Sequence, residues 1–141
     1  MFNITEMADE LEDFYRGQST PMPVRKEDYI KFVVRSIVRL YVDRNEPGEY
    51  DRTAYTTDED GTLYYDVDLD IVKQEYIFIL SKIRFMQMIQ NDVSGDGAVS
   101  YTTNALSVTG AKEGYKSVKQ ILDDLELDRV RVFHKMMANE G

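Results

Sequence analysis

Apolar residues recur at helical spacing along most of this chain. Ile4, Met7, Leu11, Phe14 and Tyr15 trace one face of a short first helix. Asn3 and Glu6 before it have the Asn-x-x-Glu spacing of a capping-box-like start. Gly17 and the prolines at 21 and 23 end it, because proline cannot continue a helix. Residues 1–24 thus read as an acidic helix with a stiff linker, which either packs on the body or reaches a neighbouring copy. A second helix is expected from Lys26 to Asp43, with Tyr29, Ile30, Val33, Val34, Ile37, Val38, Leu40 and Tyr41 on a broad apolar face. Asn45-Glu46-Pro47-Gly48 stops it. Residues 53–67 change period: two β-forming runs, Thr53–Thr56 and Thr62–Tyr65, flank the turn-forming Asp58-Glu59-Asp60-Gly61. This predicts a small hairpin that must lean on the helices or on another subunit, since a lone hairpin is marginal in water.

A third helix, capped by Asp68 or Asp70, is expected to run to about Asn91. Its segment Tyr76-Ile77-Phe78-Ile79-Leu80 is apolar around most of its circumference, the mark of a central helix packed on several sides. A fourth helix, about Lys112 to Met137, carries Tyr115, Val118, Ile121, Leu122, Leu125, Val132, Phe133 and Met136 as its stripe. Leu127 and Val130 add a thinner second edge. The resulting fold class is mainly α. It is a four-helix bundle-like single domain, residues 25–141 preceded by the N-terminal helix and linker, with a hairpin insertion between helices two and three.

Composition narrows the chemistry. The 141 residues include no Cys and one His, which excludes thiolate metal centres, disulfides and two-His zinc sites. Lys and Arg number 17 against 26 Asp and Glu, a formal charge of −9, which disfavours bulk electrostatic binding to nucleic acid. The start is polar and acidic, without the basic and apolar regions of a secretory signal. The longest apolar run, Tyr76 to Leu80, falls far short of the ~20 residues of a membrane span. The expected setting is therefore a cytoplasm, without membrane contact.

The charge is unevenly distributed. Residues 1–24 hold five acids and one base, 25–44 six bases and three acids, 45–75 ten acids and two bases, and 76–141 eight of each. A basic helix thus lies between two acidic segments. Lys31, Arg35 and Arg39 fall at i, i+4 and i+8 on one polar stripe of that helix, while Asp58, Glu59 and Asp60 cluster in the hairpin turn. Complementary zones of this kind set how proteins dock. These six residues are therefore candidate interface groups.

Three constellations invite a chemical reading. Asp92, Ser94 and Asp96 occupy positions 1, 3 and 5 of an EF-hand-like loop over 92–103, with Gly97 at the turn position. Position 12, which should complete calcium coordination with a bidentate carboxylate, is Thr103. Weak calcium binding to a calcium-responsive helical module is the alternative reading. His134 has Glu126 and Asp128 earlier on its helix but no placed nucleophile, so it reads as structural. The acids Asp66, Asp68 and Asp70 alternate as if on one side of a strand, but read better as a strand exit and a helix cap than as a hydrolase centre. No catalytic residue and no cofactor are assigned.

Several segments together resemble head–tail connector proteins of tailed bacteriophages, the head-completion or neck adaptors. They are Tyr29-Ile30 through Arg39-Leu40, the acidic Asp66-Val67-Asp68-Leu69-Asp70 before a Tyr76-Ile77 helix, and Val99 through Thr109. Tyr115 and a helix with Leu125-Glu126, Arg129, Phe133 and Met136 follow. The resemblance spans about residues 28–137. It implies a non-enzymatic structural virion protein, made in the host cytoplasm, that sits in the neck. There it forms a ring, commonly of twelve copies, below the portal protein and links the capsid to the next neck or tail-completion protein. Genomic DNA would pass through the channel without sequence-specific binding. Tyr101, Thr102 and Thr103 become further expected contact residues on this basis.

Overall fold

A computed structural model describes residues 1–15, 25–96, 100–102, 107–109 and 111–140, with side chains described for 1–15, 25–90 and 118–139. The chain order is β1 (Phe2–Asn3), α1 (Ile4–Tyr15), α2 (Lys26–Asp43), a 3₁₀ turn (Pro47–Glu49), β2 (Tyr55–Thr57), β3 (Leu63–Tyr65), α3 (Ile71–Asp96), β4 (Ser100–Thr102), β5 (Ser107–Thr109) and α4 (Ala111–Glu140). The architecture is mainly α, a four-helix bundle-like fold with the expected small antiparallel sheet between α2 and α3.

Three of the helices start where a cap is written. The backbone N–H of Glu6 donates to Asn3 Oδ1 at 2.9 Å, opening α1. Arg25 N–H donates to Asp28 Oδ2 at 3.0 Å at the head of α2. Of the alternatives Asp68 and Asp70, Asp70 caps α3: Lys73 N–H donates to its Oδ1 at 2.9 Å. Asp70→Ala is expected to cost about 1 kcal/mol in urea unfolding, the usual worth of an N-cap carboxylate; an unchanged midpoint would show that the cap carries no stability.

The central helix is α3. Tyr76, Ile77, Ile79, Leu80, Ile83, Phe85, Met86 and Ile89 are all buried, on sides that face α1, α2 and α4. Phe85 joins three helices: Tyr15 of α1 stacks on its ring at a 4.0 Å centroid distance, and Tyr29 of α2 at 5.9 Å. Between α2 and α3 the contact is small and polar. Ser81 Oγ donates to Ser36 Oγ at 3.2 Å, and both hydroxyls reach the carbonyl one turn back, Phe32 for Ser36 and Ile77 for Ser81. Small residues at this crossing let the backbones approach closely, and the paired hydroxyls leave no buried polar atom there without a partner.

Helix α1 packs on the body. Ile4, Met7, Ala8, Leu11 and Tyr15 are buried in the same core as α2 and α3. Residues 1–15 therefore belong to the packed unit and are not a detached arm. The hairpin is also larger than its two predicted strands. β1 adds to β3 with Phe2 opposite Tyr65 and Asn3 opposite Tyr64, giving the strand order β1-β3-β2. Thr5 of α1 accepts the Leu63 N–H on its Oγ1 at 2.8 Å. The sheet leans on α2 through a row of tyrosines: Tyr41 and Tyr50 pack tilted at 5.7 Å, and Tyr50 stacks on Tyr65 at 6.3 Å.

Two helices are longer than the sequence expectation. α3 continues past Asn91 to Asp96, and α4 extends from Ala111 to Glu140. The chain between them forms an antiparallel pair, Ser100 opposite Thr109 and Tyr101 opposite Val108.

Candidate functional site

The expected interface groups sit on two separate surfaces, and each surface is sharper than its sequence pattern. On the hairpin, Asp58 faces its own turn. Its Oδ1 accepts the N–H groups of Asp60 and Thr62, both at 2.9 Å. Gly61 closes the turn with φ of 82°, a left-handed conformation that suits glycine. Glu59 and Asp60 are exposed and make no contact with a cation among the described residues. Of the three expected carboxylates, one builds the turn and two face outward.

The basic surface divides in the same way. Arg39 is spoken for by Asp43, 2.8 Å away and one turn along α2. Arg44 reaches Glu46 at 3.3 Å, and Lys26 reaches Asp9 of α1 at 3.6 Å. Lys31 and Arg35 are exposed, with no acidic partner among the described residues. The sequence pattern missed Arg84, which α3 places beside Arg35 and Arg39. It is half-buried, and burial together with these two like charges pushes its guanidinium below its ordinary pKa. Arg84 has no acidic partner among the described residues either.

Arg84 lines a groove of about 280 Å³ between α2, α3 and α4, with Arg39, Asp43, Leu80, Ile83, Gln87, Glu126 and Arg129. Most of its charge is internally balanced. Tyr76 donates to Asp43 Oδ2 at 2.5 Å and accepts from Arg129 Nη1 at 3.0 Å. Arg129 in turn pairs with Glu126, holding that carboxyl below its ordinary pKa. This chain of contacts ties α2 to α4 across the central helix and consumes Arg39, Asp43, Glu126 and Arg129. The positive charge left over is that of Arg35 and Arg84, beside Lys31.

Other expected sites have more ordinary roles. Asp66 accepts the Thr56 hydroxyl at 2.8 Å, and Asp70 is the α3 cap. His134 is exposed on α4, its nearest ring that of Phe133 at 6.4 Å. Asp92, Ser94 and Asp96 lie on the last turns of α3, so positions 1, 3 and 5 of the expected loop carry helical backbone; their side chains lie outside the described residues. Gly97 and Thr103 lie outside them altogether. Among the described residues, no group of three or more His, Asp or Glu could hold a metal ion. Tyr101 and Thr102 are in β4, with their side chains outside the described residues.

A second, larger groove of about 610 Å³ runs between α1, α3 and α4, lined by Met7, Ile71, Phe78, Ile79 and Val132 with Glu10, Glu75, Lys82, Asp128 and Arg131. Lys82 lies over two aromatic faces there, 4.3 Å from the Phe14 centroid and 4.7 Å from that of Phe78. Leu127 and Val130, the thinner edge of α4, are exposed. Among the described residues, no helix is long and apolar enough to cross a membrane. Comparison with family models, curated proteins and solved structures returns no match.

Proposed function

We propose that this chain is a structural adaptor of a tailed-phage neck. Copies of it assemble in a ring below the portal protein and connect the capsid to the next neck or tail-completion protein. The observation that carries this reading is a pair of oppositely charged patches on one molecule: Lys31, Arg35 and Arg84 on the helical face, Glu59 and Asp60 on the hairpin. Two different, complementary patches on one chain are what heterologous contacts need, and such contacts close into rings when the rotation permits. The resemblance of residues 28–137 to head–tail connectors points the same way.

Asp58, Asp66 and Asp70 are engaged in turn, sheet and cap, and the adaptor role asks for no catalytic group and no cofactor. With an overall charge of −9, the assembly would let genomic DNA slide through the channel, because non-specific affinity for DNA rests on basic phosphate contacts. The protein is then a virion component, located at the head–tail interface.

The test is native mass spectrometry of the full chain, with and without its cognate portal protein. The expected result is a discrete homo-oligomer, stabilised or nucleated by portal. A chain that stays monomeric in both samples would refute the reading.

A further inference from the structure

The two patches are opposite in sign. The hairpin offers two outward carboxylates, Glu59 and Asp60, once Asp58 is assigned to the turn. The helical face offers two guanidinium groups, Arg35 and Arg84, once Arg39 is assigned to Asp43. Arg84 is the unusual member. It gives up part of its hydration beside two like charges, without a carboxylate to offset either cost among the described residues. The part of its hydration that Arg84 gives up is a cost that a carboxylate brought against it would offset. The guanidinium fork also suits a carboxylate, which it can bind through two parallel hydrogen bonds.

We propose that Arg35 and Arg84 form the receiving site for the hairpin turn of a second copy of this chain, with Glu59 and Asp60 as the carboxylates received. The pairing rests on the ring-forming reading above and names its contact. Geometry favours a neighbour's hairpin over the molecule's own. The sheet is fixed to the C-terminal part of α2 by Tyr41, Tyr50 and Tyr65, and in the folded chain Glu59 and Asp60 make no contact with either arginine. Arg35 lies six residues before Tyr41 on the helix, roughly 9 Å along its axis. Each copy therefore presents one donor patch and one acceptor patch that do not satisfy each other, which leaves both available to neighbours. Because the patches are rimmed by solvent, the pairing also sets the salt dependence of assembly.

The experiment is a charge swap read by sedimentation of the full-length protein. R35E/R84E and E59K/D60K are each expected to raise the concentration for half-assembly by roughly tenfold or more at low salt. Mixing the two variants should restore assembly, since an acidic receiving site then meets a basic hairpin and the reverse pair forms at the next contact. The single chain carrying all four substitutions should also assemble. Restoration in either case shows that the single-patch variants are folded. Half-assembly at the wild-type concentration in both reversal variants would overturn the pairing and leave the adaptor reading standing. Reversals that impair assembly without rescue by mixing would overturn it as well. A receiving site that binds double-stranded DNA at physiological salt, lost in R35E/R84E while assembly persists, would assign the arginines to phosphate instead. A wild-type chain that is monomeric with and without portal would remove both proposals.

Discussion

Phe85→Ala is expected to be the most damaging single substitution within the core, costing about 3–5 kcal/mol, the range for emptying a fully buried aromatic site. The ring is inaccessible to solvent and stacks against Tyr15 and Tyr29, so its removal opens a void where α1, α2 and α3 meet. Neither neighbour can collapse into that space freely. Tyr15 is itself buried at the end of α1, and Tyr29 is also packed edge-on against Phe32 at 6.2 Å. Since small domains have a total stability of about 5–15 kcal/mol, the variant should lose a large part of it, and α1 should loosen first. Urea unfolding followed by circular dichroism measures the loss. Ile71→Ala is the matched control: Ile71 is 81% exposed, and its substitution should shift stability by less than about 0.5 kcal/mol. A Phe85→Ala variant as stable as that control would show that the three helices do not meet at this ring.

Alkaline pH should unfold the protein, and the sign follows from its tyrosines. Burial raises the phenol pKa of Tyr15, Tyr29, Tyr55, Tyr65 and Tyr76 above the ordinary value near 10. Tyr29 is pushed up to about 12 by burial and by Glu12 and Asp28. Tyr76 is likewise pushed up to about 12, by burial and its bond to Asp43, partly offset by Arg129. In Tyr55, burial acts together with the 2.8 Å hydroxyl contact to Tyr50. A group whose folded pKa is raised stabilises the fold fully below its unfolded value, and that contribution is lost as pH climbs toward the folded value. Stability should therefore hold up to about pH 10 and then decline steeply toward about pH 12. The chain has ten tyrosines and no tryptophan, so tyrosinate absorbance reports this directly. Part of that absorbance change should coincide with the loss of helical ellipticity. An absorbance change completed while ellipticity stays intact would mean that these phenols are not held protonated by the fold.

The helices were readable in the sequence wherever apolar periodicity and a stop signal coincided. The limits of α2 follow from its apolar face together with Asn45-Glu46-Pro47-Gly48, and the caps at Asn3 and Asp70 follow from local chemistry alone. β1 was not readable, because two residues cannot display an alternation and its pairing partner Tyr65 lies far along the chain. The extension of α3 through Gly95 and Asp96 runs against the local preference of those residues for turns.

The candidate site was half legible. Lys31, Arg35 and Arg39 share a helical stripe and so appear together in sequence, but Arg84 belongs to a segment whose acids and bases balance. Only the packing of α3 against α2 brings it beside Arg35 and Arg39. Conversely, counting charges by segment credits Asp58 and Arg39 with outward roles. The folded chain spends one on its own turn and the other on Asp43. Sequence reveals how much charge a region carries; the fold decides how much of it is left over.

The adaptor proposal requires copies of this chain to assemble through that leftover charge into a ring on a portal. The most direct measurement is the mass distribution of the full-length protein by native mass spectrometry, alone and mixed with cognate portal. The expected result is one closed oligomer of fixed copy number, bound to portal and weakened by added salt. A monomer in both samples, at every concentration and salt, would contradict it.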